Sequence, residues 1–341
     1  MGSQVHVGVI GGGAWGTALA IHAARAGHDV VMWAREAQVV NDINDSRENK
    51  IFLPGFEVPS RLSATTDLQA CVTHAQLLLT VTPTPYVSSV VGQCAPWLRE
   101  DHILVSCSKG IENNSLELVS EILERNLPTR FHSQIAYLSG PSFAKEVALQ
   151  HPTAVTVASY LPGLGHKVQQ LLSTNRFRCY TTRDVVGVEM GGALKNVMAI
   201  CTGAADGLGF GYNARAGLIT RGLGEISRMA VRKGANPLTL QGLAGMGDLV
   251  LTCTGELSRN RSVGKRLGAG ETLDEILAST VTVAEGVLTS RSAWQLAQKL
   301  GVAAQVPIIE GAYRVLWEGQ DLMDALEALM ARPLKDEWVP Q

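Results

Sequence analysis

The chain carries no strong excess of charge: 29 Lys and Arg stand against 31 Asp and Glu, a formal net charge of −2. Proteins dedicated to nucleic acid or to anionic membrane surfaces ordinarily carry a basic bias, so neither partner is expected. No window approaches 18 consecutive apolar residues, so no membrane span is expected either. The first apolar run is too short for a secretory signal and reads as a strand. Met1-Gly2-Ser3 resembles a myristoylation start only superficially, because His6 fills the position that needs Ser or Thr. The six cysteines (Cys71, Cys94, Cys107, Cys179, Cys201 and Cys253) are scattered, without a C-x-x-C pair or a neighbouring His cluster. Disulfide and metal readings are therefore both poor, and reduced thiols explain them better. No internal repeat or low-complexity tract is evident. What these absences leave is a soluble, cytoplasmic protein without a metal.

What is abundant is glycine, 35 residues of it in a chain that is 46% hydrophobic. That combination argues for tight turns and close packing of elements, not disorder. A length of 341 residues suggests about two domains, each large enough to bury a core. The most informative glycines lie near the start. An apolar run over 5–10 enters a turn in which Gly11, Gly13 and Gly16 stand at G-x-G-x-x-G spacing, and good helix formers follow from Thr17. In a dinucleotide site the first glycine permits the sharp turn, the second lets the backbone approach a pyrophosphate, and the third lets helix and strand pack closely. The uncapped N–H groups at the helix start then face the anion. A structural glycine turn is the alternative.

Gly27 ends that helix, and residues 29–34 read as a second parallel strand. An acidic residue at this strand's end favours NAD; here Arg35 stands 19 residues after Gly16, with Glu36 beside it. A guanidinium suits a 2′-phosphate, so NADP(H) is favoured and NAD(H) remains possible, unless Arg35 is merely a surface residue starting a helix. Residues 36–75 read as mixed and loop-rich. Further strands are expected over 77–81, 102–107, 134–138, 153–158 and 176–180, about seven in all, alternating with helical stretches. That alternation predicts an α/β fold, a doubly wound, mainly parallel Rossmann-type sheet. Ligands bind beyond the carboxyl ends of such strands, which puts Lys109 and Ser142 on the ligand side. From about 187 strand runs disappear and helical stretches over 215–233, 272–279, 285–300 and 308–319 dominate. The expected division is a dinucleotide-binding domain over 1–184 and an all-helical substrate domain over 185–341.

Four later features can carry chemistry. Lys195 is the only charged residue between Glu189 and Asp206, on an otherwise apolar helix. Desolvation there would draw its pKa toward neutrality, as a proton donor or acceptor needs, unless the stem packs and the head reaches water. The glycines of 203–211, followed by Gly217, Gly222 and Gly224, allow either close approach to a ligand or tight helix packing. Asp248 sits between glycines and an apolar run, and a helix N-cap is its plainer reading. Ser258-Arg259-Asn260-Arg261 could place a capping hydroxyl, an Arg fork and an amide around one phosphate, or form a solvated basic face with Lys265 and Arg266.

Taken in order, G-G-G-A-W-G, S-K-G-I-E, L-S-G-P-S-F-A, G-G-A-L-K-N, G-M-G-D-L and S-R-N-R make a chain that strongly resembles the bacterial type of NAD(P)-dependent glycerol-3-phosphate dehydrogenase over nearly its whole length. The resemblance implies reversible reduction of dihydroxyacetone phosphate to sn-glycerol 3-phosphate, a precursor of glycerophospholipids. It implies Lys195 as the catalytic proton acceptor and Lys109 as a contact to both cofactor and substrate. By the same resemblance Gly140, Ser142, Asp248, Ser258, Arg259 and Asn260 form the substrate pocket. Ala14, Trp15, Arg35, Ala144, Val283 and Glu285 match cofactor contacts, with Arg259 shared. Ala14 departs from the Ser common in the family, and Arg35 lies where the family varies. A homodimer through the helical domain is the family expectation. Two other readings remain at this stage: a related dehydrogenase of a 3-hydroxy acid, which would not need the anion site at 258–261, and a non-catalytic redox sensor, which would not need a desolvated Lys195.

Overall fold

The computed structural model describes residues 4–280, 284–334 and 336–337. Its first half is one eight-stranded sheet: β1 (His6–Ile10), β2 (Asp29–Trp33), β3 (Leu62–Thr65), β4 (Leu77–Thr80), β5 (Ile103–Ser106), β6 (Ile135–Ser139), β7 (Thr153–Ala158) and β8 (Phe177–Thr182). The spatial order is β3-β2-β1-β4-β5-β6-β7-β8. Every pairing is parallel except β6 with β7. The order reverses between β1 and β4, and such a switch point opens a crevice outside the carboxyl ends of the strands.

Strands buried on both faces should be continuously apolar, and β4 reads Leu-Leu-Leu-Thr with all four residues buried. The two faces separate by strict alternation. Val7, Val9, Leu77, Leu79 and Val105 enter one core, whereas Ile10, Leu78, Leu104 and Tyr137 enter the other.

Residues 36–75, read from sequence as mixed and loop-rich, hold the helices Ala37–Ser46 and Leu68–His74 with β3 between them. The sheet therefore has eight strands where about seven were expected. β3 is an edge strand of four residues in which only Leu62 and Ala64 are buried, too short for alternation to show. In Ala37–Ser46 the buried apolar pair Val39 and Ile43 is a single i, i+4 contact among polar residues.

Beyond β8 the chain is helical. Asp184 caps the 23-residue helix Val185–Gly207 through its carboxylate, accepting from the Gly187 N–H at 2.9 Å. By length and hydropathy this helix could cross a membrane, yet 89% of its most apolar window is buried inside the protein. It serves as a core helix: Val185 and Val188 join the sheet's second core, and Met190, Leu194, Val197 and Met198 join the core of the helical half.

Glu189, on this helix, is buried. Its carboxyl accepts from the Ser120 N–H at 2.9 Å and from the Ser120 hydroxyl at 2.5 Å. Burial nevertheless pushes it up to about 8 from an ordinary 4.5, opposed by the Ser120 bonds. The folded protein thus keeps a proton that the unfolded chain has lost, and this group lowers stability as pH rises from about 4.5 to about 8. Glu189→Gln keeps the shape and hydrogen-bonding capacity without the charge. The variant is expected to gain stability relative to the parent between pH 5 and pH 8.5, by a few kcal/mol at most at about 1.4 kcal/mol per pKa unit. Denaturant melts at both pH values measure it; an unchanged difference would contradict the assignment.

Candidate active site

The Gly-rich turn follows β1 at the switch point. Gly11 adopts φ +133°, and a Cβ there would lie 2.7 Å from the Val81 carbonyl oxygen. At Gly16 a Cβ would come within 1.9 Å of the Gly11 carbonyl oxygen, so the helix Ala14–Arg25 can approach the turn only without a side chain there. Gly13 is different: nothing lies within 4 Å of its Cβ position, and no side chain caps the helix it begins. Uncapped N–H groups facing open space at a helix start suit a pyrophosphate. Trp15 Nε1 is buried without a partner, a further donor at the same turn. Ala144 begins the short helix Ala144–Ala148 and, with Ala14 and Trp15, packs against the first core. Arg35 lies just past β2 with its side chain 75% exposed, and its guanidinium donates to the Glu36 carboxylate at 2.9 and 3.1 Å.

A buried ion triad lies beyond the carboxyl ends of β5 and β6. Lys195 comes from the Val185–Gly207 helix, Lys109 from the loop after β5, and Asp248 from the first turn of the helix Asp248–Thr254. Lys195 Nζ donates to Asp248 Oδ1 at 2.5 Å, and Lys109 Nζ donates to Oδ2 at 2.8 Å and to the Gly140 carbonyl at 3.3 Å. Lys195 is 7% exposed and Asp248 1%. Burial lowers Lys195 to about 8; Asp248 acts against that shift and Lys109 with it. For Asp248 burial favours the neutral acid, but the two ammonium groups outweigh it and hold the carboxyl below its ordinary value. The head of Lys195 therefore does not reach free solvent, and Asp248 does not act as a helix cap. Thr252, one turn on, donates its hydroxyl to the Asp248 carbonyl at 2.6 Å. The partnership of Asp248 with both lysines is not legible from its spacing in the chain.

Gly140 adopts φ +136°, which turns its carbonyl toward Lys109 and toward the Ser142 hydroxyl at 3.0 Å. Ser258 caps the helix Arg259–Gly268, its hydroxyl accepting from the Arg261 N–H at 3.2 Å. The buried Asn260 side chain accepts from the Gly286 N–H at 2.9 Å, bringing the start of the helix Glu285–Lys299 against the start of Arg259–Gly268. Arg259 is exposed at this junction. Burial raises the Glu285 carboxyl, while Arg259, Lys109 and Lys195 all act to lower it, so one carboxyl faces three cations. Arg261 and Arg266 are committed elsewhere: Arg261 pairs with Asp206 and Glu256, and Arg266 with Glu271. Val283 lies outside the described residues.

The glycines of the long helix prove to be packing residues. Cβ atoms at Gly203 and Gly207 would come within 2.0 and 2.2 Å of the Arg261 and Lys265 carbonyl oxygens, and one at Gly264 within 1.9 Å of the Ile200 carbonyl oxygen. Backbone contact of this kind fixes where the Ser258–Asn260 turn stands relative to Lys195.

Two family models match: the N-terminus of NAD-dependent glycerol-3-phosphate dehydrogenase over residues 6–163, and its C-terminus over 184–327. The chain is 51% identical over 333 residues to a glycerol-3-phosphate dehydrogenase [NAD(P)+] of Citrifermentans bemidjiense, covering 98% of this chain and 99% of the relative. It is likewise 51% identical to a protein so named in Myxococcus xanthus, over 96% of this chain and 98% of that one. Among solved structures it is similar to a glycerol-3-phosphate dehydrogenase from Coxiella burnetii, with a TM-score of 0.90 at 36% identity, over 96% of this chain and 99% of that one.

Removing the charge that compensates two buried ammonium groups should be costly. For Asp248→Asn the expected loss is about 3 kcal/mol at pH 6, toward the lower end of broken buried pairs. The loss should shrink toward pH 9.5, because Lys195, with no carboxylate to raise it, can shed its proton in the folded state. Denaturant titration at the two pH values checks both size and sign.

Proposed function

Because the chain belongs to the NAD-dependent glycerol-3-phosphate dehydrogenase family, we propose that it reduces dihydroxyacetone phosphate reversibly to sn-glycerol 3-phosphate. The observation that carries this reading is the buried Lys195–Asp248–Lys109 triad at the carboxyl edge of the sheet. The open Gly13 position and the uncapped helix start behind it fit a dinucleotide pyrophosphate. Bound there, a reduced nicotinamide supplies hydride equivalents to the substrate.

The chain's own residues do the rest. Lys195 protonates the oxygen that was the ketone as it gains negative charge, and takes the proton back in the reverse direction. With a folded-state value near 8, Lys195 exchanges a proton readily at neutral pH. Lys109 adds a second positive charge at the same oxygen. Donors of this kind are worth about 3 kcal/mol each in the transition state. Asp248 acts by holding both ammonium groups. Arg259, Asn260 and the helix start capped by Ser258 bind the phosphate, and Gly140 and Ser142 close the pocket from the sheet side; these contribute orientation. Gly11, Gly13, Ala14, Trp15, Gly16 and Ala144 bind the dinucleotide, with Glu285, Arg259 and Lys109 where the two ligands meet; Val283 belongs to the same proposed set.

The exposed Arg35 guanidinium supports a preference for NADP(H), and Glu36, bonded to it, supports residual use of NAD(H). We assign 1–184 to cofactor binding and 185–341 to substrate binding. The proposed product, sn-glycerol 3-phosphate, supports a role at the entry to glycerophospholipid synthesis. Six unpaired cysteines support a reducing, cytoplasmic setting, and exposed Trp317, Met323 and Met330 support a homodimer through the helical half.

Coenzyme oxidation followed by absorbance tests the reading. Turnover is expected with dihydroxyacetone phosphate and not with dihydroxyacetone; equal rates on both would favour a 3-hydroxy acid type of dehydrogenase. Lys195→Met should lower kcat by a factor of about 10³ or more with coenzyme affinity nearly kept. In the parent, reduction should fall and oxidation should rise through pH 8, because the two directions need opposite protonation states of Lys195. Arg259→Ala should raise KM for the phosphorylated substrate more than it lowers kcat.

Coenzyme choice is checked separately. Arg35→Ala is expected to lower the ratio of kcat/KM for NADPH over NADH about tenfold, the worth of one charge-assisted phosphate contact at about 1.4 kcal/mol. An unchanged ratio would remove Arg35 from the 2′-phosphate.

A further inference from the structure

A second cluster lies at the opposite edge of the sheet, where the sequence showed no metal-ligand spacing. His6 begins β1, Asp29 begins β2, and His74 ends the helix Leu68–His74. His6 Nδ1 stands 3.3 Å from Asp29 Oδ2, and His74 Nε2 stands 3.8 Å from the same oxygen. All three donor atoms lie within 4.8 Å of one another. The two rings meet edge to face with centroids 4.7 Å apart. We infer that His6, Asp29 and His74 form a binding site for a divalent transition ion of the zinc class.

The geometry fits that class. Metal–ligand bonds of about 2.0–2.1 Å in a tetrahedron separate the donors by about 3.3 Å. The His6–Asp29 edge already has that length, whereas His74 Nε2, which now lies 3.3 Å from the Asp29 carbonyl oxygen, must turn toward the other two donors, all within 4.8 Å of one another. Two imidazoles and one carboxylate suit zinc, cobalt, nickel or copper; magnesium and calcium prefer all-oxygen shells. The His6 and Asp29 side chains are 54% and 46% exposed, which leaves room for water at the remaining coordination position. His74 closes the last turn of its helix, where the dipole favours positive charge. The Gln76 side-chain oxygen, which accepts from the His6 N–H at 3.4 Å, is a fourth donor atom at the rim. Since the Gly-rich turn leaves the other end of β1, an ion here is remote from hydride transfer. It would tie the starts of β1 and β2 to the helix between β3 and β4 and so act on stability. The inference is independent of the proposed reaction.

The test uses the full-length protein after chelator treatment, titrated with Zn²⁺ by calorimetry and with Co²⁺ by visible absorption. The expected result is one saturable Zn²⁺ site in the micromolar range, a raised Tm, and Co²⁺ bands of low-coordinate intensity. His6→Ala and Asp29→Asn should each weaken binding by about tenfold or more and abolish the Tm rise, with turnover unchanged in metal-free buffer. No saturable binding up to millimolar Zn²⁺ would overturn the inference. So would binding that both variants retain, since it would then belong to a thiol such as that of Cys201, the one cysteine that is not fully buried.

Discussion

One carboxylate holds the candidate chemistry in place. Asp248 has almost no contact with solvent, and both of its oxygens are taken by lysines that reach it from different parts of the fold. Such an arrangement is weak evidence of stability, because desolvating three ions offsets most of their attraction. A core built only to be stable would place apolar side chains there. Instead Lys195 is held near 8 by two opposed influences, burial and Lys109 lowering it and Asp248 raising it. Perturbation of this kind, in a crevice beyond the strand ends, is what proton transfer requires.

The position of Lys195 is fixed less by its own contacts than by the absence of side chains around it. A Cβ at Gly191 would lie 2.5 Å from the Ala244 carbonyl oxygen, and one at Gly192 would lie 2.7 Å from Ser139 Oγ. The first contact brings the Val185–Gly207 helix against the turn that leads into Asp248; the second brings it against the end of β6. Further along, Gly203 and Gly264 do the same for the helix that begins at Arg259. Backbone-to-backbone packing leaves little freedom to slide, so the lysine, the carboxylate and the Ser258–Asn260 turn hold a common geometry.

Legibility in the sequence followed the strength of local patterning. The buried strands and the G-x-G-x-x-G turn announce themselves because burial on both faces and a sharp turn each impose a residue type. β3 did not, because an edge strand with two buried residues imposes almost none. Lys195 was visible as a lone charge in an apolar helix. Its pairing with Asp248 was not, since 53 residues separate the two and only the tertiary fold joins them. The glycines of 203–211 left two readings open; for Gly203 and Gly207 the partner helix that decides between them lies more than 50 residues downstream, while nothing lies within 4 Å of the Cβ positions of Gly209 and Gly211. His6, Asp29 and His74 are the extreme case: no spacing rule connects three residues that the parallel pairing of β1 with β2 and the helix leading into β4 bring to one edge.

Among the described residues, four of the seven buried side-chain polar atoms without a hydrogen-bond partner lie at one place. Thr82 and Thr84 follow β4, Ser106 ends β5 and Ser139 ends β6, and the hydroxyl of each is buried without a protein partner. Buried polar atoms in native proteins nearly always have partners, so four together at one sheet edge are a departure that needs a cause. The same edge carries Lys195 and Asp248, and a small cavity lined by Ser106, Lys109, Ser139 and Glu189 lies between it and the long helix. Elsewhere the sheet's interior is conventionally apolar. A fold stabilised only for its own sake would spread such costs or remove them. The gathering of these four at the carboxyl edge is what a site leaves behind when polar groups are arranged to meet a ligand and not one another.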